Sequence, residues 1–391
     1  MSPGLHALNE ALRALGSPQA RLKAFLVGGT NGKGSVARLL SSVLTESDQT
    51  VATFLSPHLE SVTERFLAGM VPAGEAELAG LAAELEPVGR QHALSYFEFL
   101  TLMFCVWADR RKFDFCVVEV GLGGRLDSTN VIDGLASLIT NVSFDHTEYL
   151  GSTLPAILTE KLGIVRSESL LFTGVSSPEL KDQVIRHSDA LDTIYYFSSE
   201  LKREVRERRA DGQTVLLNGF PFELASPTPG AIDNAALAFL FFRIVFPVIP
   251  FETIQAGFRK MTNPGRFETV RKSPRVILSG DHNEAGIEDV IAAVTSLPGL
   301  GRVKVLCGFS GDKPYAKLVE RLKAIDPEPT VVPVTNARVP AGSGYTALPG
   351  YRPNARAALE DLIKTASPED TILVTGSLYL VGELRSALRQ G

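Results

Sequence analysis

The chain has 391 residues, more than one typical domain uses, so two domains are the natural expectation. Hydrophobic residues make up 45% and charged residues 21%, as in ordinary globular proteins. The net charge of -5 argues against a general nucleic-acid binder, which carries a basic surplus.

Three cysteines, Cys105, Cys116 and Cys307, form no metal-type pair, which fits a reduced, cytoplasmic setting. The N-terminus lacks a signal-peptide core. The most apolar run, residues 235–251, is broken by Arg243, Pro247 and Pro250. It reads as a buried helix followed by a loop and is short of a membrane span.

In chain order, a first strand is expected at 24–27, followed by a glycine-rich turn. Val36, Leu39, Leu40, Val43 and Leu44 then recur at helical spacing. Further strands are expected at 51–55, 115–120 and 135–140. Residues 191–224 have weaker helical periodicity and a hairpin-like "ADGQTVLL", which suggests a β-rich appendage of the first domain. After "NPGRFE" (263–268) a second alternation begins, with strands at 276–278, 303–307, 330–334 and 371–375. Helices are expected at 284–295, 315–324, 355–365 and from 378. The expected fold is α/β: a P-loop-containing parallel-sheet domain over 1–268 and a smaller, Rossmann-like α/β domain over 269–391.

"FLVGGTNGKGSVARLL" joins a strand, a glycine-rich turn with a lysine, and a helix. Gly28, Gly29, Gly32 and Gly34 let the backbone approach a phosphate closely. The helix N-terminus adds positive potential, and Lys33 adds a formal charge. The general Walker pattern is matched imperfectly, because Val27 stands six before Lys33 and the hydroxyl of Ser35 comes one place late. A structural glycine turn is the blander alternative, and a lysine between glycines before a helix favours nucleotide binding.

"GTNGKGS" resembles the variant used by the Mur ligase superfamily, and further segments resemble its folylpolyglutamate/dihydrofolate synthase branch. They are "LSPHLESVTERF" (55–66), "SYFEFLT" (95–101), "EVGLGGRLDSTN" (119–130), "FDHTEYLGSTLPAILTEKLGI" (144–164), "DNAALA" (233–238), "PGRFE" (264–268), "GDKP" (311–314) and "VTGSLYLVGELR" (374–385). Each is weak alone; together, in the family's order, they span nearly the whole chain.

The resemblance implies an ATP-dependent ligase that activates a carboxylate as an acyl phosphate and captures it with the amine of L-glutamate. The acceptors would be dihydropteroate or reduced folates. It implies magnesium, two ions, held by Ser56, Glu119, His146 and a carbamylated Lys161, with Lys33 and the 32–35 turn on the phosphates. Asn234, Arg266 and the position of Ser279 are carried over as nucleotide contacts. Ser95, Tyr96, Phe97, Glu98, Leu126, Asp127 and Ser128 are carried over as acceptor contacts, the aromatic pair suiting a flat ring. A monomer with no nucleic-acid or membrane partner is expected. Taken singly, Glu119 reads as a strand-end carboxylate, His146 as a loop residue, Ser56 as a turn residue, Lys161 as a surface lysine, and Tyr96 and Phe97 as a helix start. The ordered set of motifs reverses those readings.

One segment departs from the family pattern. Where L-D-G-A-H-N-P is usual, residues 278–284 read L-S-G-D-H-N-E. An aspartate at 279 is expected to strengthen the nucleotide contact unless Asp281 has taken it over. Two other functions compete: a Mur-type ligase with another carboxylate acceptor, and a non-catalytic nucleotide-binding regulatory protein.

Overall fold

The computed structural model describes residues 5–310, 314–334 and 345–390. The chain forms two compact units, Met1–Lys202 with Asp233–Met261, and Arg203–Ile232 with Thr262–Gly391.

In the first unit the strands are β1 (Ala24–Gly28), β2 (Val51–Phe54), β3 (Phe66–Ala68), β4 (Val71–Pro72), β5 (Phe115–Glu119), β6 (Gly134–Ile139), β7 (Leu170–Thr173) and β8 (Ile194–Phe197). They make one sheet in the order β4-β3-β2-β5-β1-β6-β7-β8, parallel from β2 to β8 and antiparallel at the β3 and β4 edge. β1 is buried throughout because both faces are covered. Leu26 joins the core of Val118, Leu102 and Phe104. Phe25 packs edge-on to Phe241 at 4.9 Å. The helix Tyr96–Arg111 is buried continuously from Leu100 to Ala108, and its Phe104 stacks on Phe54 at 5.0 Å. Truncating such a ring to alanine costs about 3–5 kcal/mol.

Register brings the strand ends that matter together. Val27 pairs with Glu119, Gly28 with Ile139, and Phe54 with Val118. The chain leaves β1 toward β2 on one side and later continues to β6 on the other, so the crevice at these C-terminal ends is where open α/β sheets take ligands.

The second unit holds β12 (Glu268–Lys272), β13 (Arg275–Ser279), β14 (Val303–Cys307), β15 (Thr330–Val331) and β16 (Thr371–Thr375), in the order β12-β13-β16-β14-β15. Among the described strands of this sheet, β12–β13 is the antiparallel pair and the others are parallel. Ile277, Val305 and Leu373 pack against Ile287, Val290, Leu318 and Leu322 of the covering helices.

Residues 203–224 form a three-stranded antiparallel sheet of β9 (Arg203–Arg209), β10 (Gly212–Leu217) and β11 (Phe220–Leu224). Its grouping differs from the appendage of the first domain expected from sequence. The hairpin tip, Ala210, packs on the core of the second unit, and Gly230 N donates to Asp289 at 2.7 Å. By contacts, 203–232 and 262–268 group with the C-terminal part of the chain. The helix Pro229–Val245 covers most of the apolar run, and no described helix is long and apolar enough to cross a membrane.

Candidate active site

The glycine-rich turn in the first unit is braced by the exit of β6. Thr30 N donates to Asn141 O at 3.0 Å, and Asn31 N to Asn141 Oδ1 at 3.0 Å. Thr140 Oγ1 donates to Asn31 O at 2.6 Å, and Thr30 Oγ1 to Ser143 O at 3.2 Å. These bonds fix a backbone that would otherwise carry several unpaired peptide groups. Gly29 stands at φ +137, and a Cβ there would lie 1.9 Å from Thr140 Oγ1. Gly29→Ala is therefore expected to cost about 2–4 kcal/mol and to break the Thr140–Asn31 brace. Thermal denaturation of the variant measures this; an unchanged melt would mean the loop adapts.

Two lysines converge on this turn. Lys33, the first residue of the helix Lys33–Glu46, donates from Nζ to Thr30 O at 2.9 Å. Lys161, on the helix Leu154–Leu162, donates from Nζ to Gly29 O at 2.9 Å. Lys161 is 2% exposed. Burial first, then the charge of Lys33, pushes its amine down to about 7, while Asp145 opposes the shift. Gly32, at φ +82, caps the helix, and a Cβ on it would lie 2.2 Å from Asn234 Oδ1, so the amide of Asn234 rests on the turn. Ser143 Oγ is buried beside Thr30 and has no hydrogen-bond partner among the described residues.

At the neighbouring strand end, Glu119 is buried and its Oε2 accepts from Ser56 N at 2.8 Å. Gly34 lies close by, and a Cβ on it would stand 3.2 Å from that oxygen, a tight contact. Arg38 lies one helical turn beyond Gly34. Burial lowers its pKa against the opposing fields of Glu119 and Glu64. The segment bearing Ser56 is organised by Glu64, whose carboxylate accepts from Leu59 N at 2.8 Å and from Glu60 N and Ser61 N at 3.0 Å. Arg65 Nε donates to His58 Nδ1 at 2.8 Å, which leaves the proton of a neutral His58 on Nε2. His146 sits at φ +48, with its ring Nε2 3.8 Å from Asp145 Oδ1.

Ser56 and Glu119 offer hard oxygen donors and His146 a nitrogen, a set that suits a magnesium ion keeping several of its waters. No cluster of three or more His, Cys, Asp and Glu suited to a metal occurs among the described residues.

The residues carried over as acceptor contacts have visible local work. Ser95 and Glu98 form a capping box: Ser95 N donates to Glu98 Oε2 at 2.8 Å, and Ser95 Oγ accepts from Glu98 N. Asp127 is buried, with its oxygens taken by Leu122 N at 2.7 Å and by Thr129 N and Oγ1 at 3.0 and 2.6 Å. Burial raises its pKa and those hydrogen bonds oppose the shift. It shapes the loop that exposes Leu122 and Leu126 and half-exposes Ser128. Tyr96 is exposed, and Phe97 abuts Gly121, where a Cβ would meet its ring at 2.8 Å.

In the second unit, Ser279 is fully buried at the end of β13. Its hydroxyl accepts from Phe267 N at 3.3 Å and donates to Asp281 Oδ2 at 2.6 Å. Asp281 and His282 are half-buried, and Asn283 caps the helix Glu284–Ser296 through Gly286 N at 2.9 Å. Arg266 stands in the turn before β12, with Nη1 3.4 Å from Gly280 O. Gly311–Lys313 of "GDKP" lie outside the described residues.

This geometry reverses the outcome expected from restoring aspartate at 279. A second carboxylate would be buried against the first, so Ser279→Asp is expected to lose about 2–3 kcal/mol of stability. Adding Asp281→Ala should return much of that loss. Melts of the single and double variants, with ATP titrations of Asp281→Ala, separate the two roles. A stable Ser279→Asp protein would defeat this account.

Residues 27–240 match the Mur ligase middle domain, and residues 265–378 match the domain described as "Mur ligase, glutamate ligase domain". Dihydrofolate synthase/folylpolyglutamate synthase of Bacillus subtilis is 30% identical over 100% of this chain and 96% of its own. The Mycobacterium tuberculosis folylpolyglutamate synthase structure complexed with ADP superposes with a TM-score of 0.90 at 27% identity, covering 98% of this chain and 94% of that one. The Escherichia coli FolC structure in complex with DHPP and ADP gives a TM-score of 0.89 at 28% identity, covering 100% and 94%.

Proposed function

The chain belongs to the folylpolyglutamate synthase/dihydrofolate synthase family of Mur ligases, ATP-dependent glutamate ligases, and on that premise we propose that it adds L-glutamate to dihydropteroate, to reduced folates, or to both. The observation that carries the reading is the convergence of Lys33 and Lys161 on a braced glycine turn beside the buried Glu119. In the reaction, an acceptor carboxylate oxygen attacks the γ-phosphorus of ATP and the bond to the bridging oxygen breaks, releasing ADP. The neutral amine of glutamate then attacks the acyl carbon, phosphate leaves, and the amine's surplus proton passes to solvent.

Negative charge builds on phosphoryl oxygens in both steps, so fixed cations and accurate positioning dominate. Lys33 and the N–H groups of 32–35 hold the phosphates, and the hydroxyl of Ser143 is left to donate to one of their oxygens. Ser56, Glu119 and His146 would hold magnesium, which when bound would neutralise phosphoryl charge. Lys161, as a carbamate, would add an anion to that set. Asn234 lies against the turn in a position to meet the base, and Arg266 offers paired donors to phosphate. Asp281, oriented by Ser279, supplies the carboxylate that the family pattern puts at 279. Tyr96, Phe97 and Leu126 offer apolar surface to the acceptor, while Ser95, Glu98, Asp127 and Ser128 shape the elements that present it. The protein acts as a cytoplasmic monomer, with 1–268 as the ATP-binding catalytic portion and 269–391 as the C-terminal ligase portion.

The test is glutamate-dependent release of ADP and phosphate with dihydropteroate, tetrahydrofolate or a UDP-sugar peptide as acceptor. Release with either pteridine supports the folate reading. Release with the UDP-sugar peptide alone would move the chain to another Mur activity. Nucleotide binding without release under any acceptor would point to a regulatory protein.

A further inference from the structure

The turn that carries Arg266 uses left-handed backbone twice, with Gly265 at φ +71 and Phe267 at φ +52. For an aromatic residue such a conformation is strained, and the surroundings must hold it. Two sets of contacts do so. From one side, Gly280 N donates to Gly265 O at 2.8 Å and Phe267 N donates to Ser279 Oγ at 3.3 Å. From the other, the carboxylate of Glu268 accepts Gly265 N at 2.8 Å and receives the fork of Arg385, with Nε 2.8 Å from Oε2 and Nη2 2.9 Å from Oε1.

Arg385 belongs to the helix Leu378–Gln390, and its side chain is 7% exposed against 24% for Glu268. The same helix begins with Leu378, whose Cδ2 would stand 2.3 Å from a Cβ on Gly280. One helix therefore reaches both the 279–283 loop and the turn at 263–268. Replacing a buried ion pair with apolar groups is often neutral for stability, and what a planar fork adds is orientation. Here Oε2 of Glu268 meets both the Arg385 fork and the Gly265 amide, so the orientation of the turn backbone is tied to the helix.

We propose that Glu268 and Arg385 are positioning residues that aim Arg266 at the nucleotide phosphates. The proposal rests on reading Arg266 as a phosphate contact. The experiment measures KM for ATP, kcat and thermal melts for Arg266→Ala, Glu268→Gln and Arg385→Met, and for the last two combined with Arg266→Ala.

Arg266→Ala should raise KM for ATP about tenfold or more. Glu268→Gln and Arg385→Met should each raise it about three- to tenfold alone and add almost nothing in the Arg266→Ala background. A role in folding alone would lower the melts and multiply through regardless of Arg266, which overturns the proposal. Arg266→Ala with wild-type kinetics would sink the reading of Arg266 and the proposal together. A loss in Arg266→Ala with silent Glu268→Gln and Arg385→Met would sink the positioning role alone. If Arg385→Met does not fold, Arg385→Lys keeps the charge and loses the fork. It should show the same rise, and wild-type KM in it overturns the proposal.

Discussion

Lys33→Ala is expected to lower turnover about 10²–10³-fold, the scale seen when one preorganised donor to a developing oxyanion is removed. The thermal midpoint should shift little, because Lys33 is half-exposed at the first position of its helix. Its charge also depresses the amine of Lys161, so that amine should titrate higher in the variant. Turnover and a thermal melt check the first two points. Near-normal turnover in a folded variant would remove the loop from the mechanism.

Lys161→Ala should lower turnover on a similar scale, by a different route. An amine at about 7 has a large neutral fraction near neutral pH, and only the neutral form adds carbon dioxide. The nitrogen attacks the carbon, one proton leaves to solvent, and the neutral amine becomes an anion. Removing the side chain leaves a small buried cavity that acetate can enter, so an acetate series at constant ionic strength should restore part of the rate. Isotope-labelled carbon dioxide should give a carbamate resonance in the wild type and none in the variant. The signal should fade as pH drops through about 7, where the lysine becomes protonated. In carbon-dioxide-free buffer the sign for stability follows from the same numbers. The unfolded lysine keeps its proton up to about 10.5 and the folded one to about 7, so stability rises with pH across that window and is lost as pH falls through it. Full activity of Lys161→Ala without acetate would defeat the carbamate.

The central strands were legible because a parallel strand covered on both faces reads as an unbroken apolar run: 24–27 appears as β1, and 303–307 and 371–375 coincide with β14 and β16. The helix Tyr96–Arg111 gave no periodic signal, since residues buried on every side leave no polar stripe to mark the period. β9 falls within the segment expected to be β-rich, though its composition, "REVRERR", is the charged sequence of an exposed edge strand and marks no bounds. Lys33 and Lys161 could be picked out, but their shared anchoring on Gly29 and Thr30 could not, because the two residues are far apart in sequence. Nothing in the sequence marks Thr140, Asn141 and Ser143, since a Thr-Asn pair after a strand looks like any turn. Resemblance makes Ser95, Glu98 and Asp127 acceptor contacts, and the S-x-x-E spacing of Ser95 and Glu98 also announces a cap. Ser279 was seen as a gap in a pattern; only the fold reveals the hydroxyl that steers Asp281.

The chain passes from one compact unit to the other at Lys202, returns at Asp233 and leaves again at Met261. During synthesis the three strands from Arg203 to Leu224 emerge long before the sheet they pack on, which is complete only with β16 at Thr371–Thr375. Through that interval the tip at Ala210 and the amide of Gly230 wait for partners not yet made. A fragment ending at 268 would carry the same orphaned hairpin, so the two halves of this enzyme are not separable beads, and its folding waits on contacts between distant parts of the sequence.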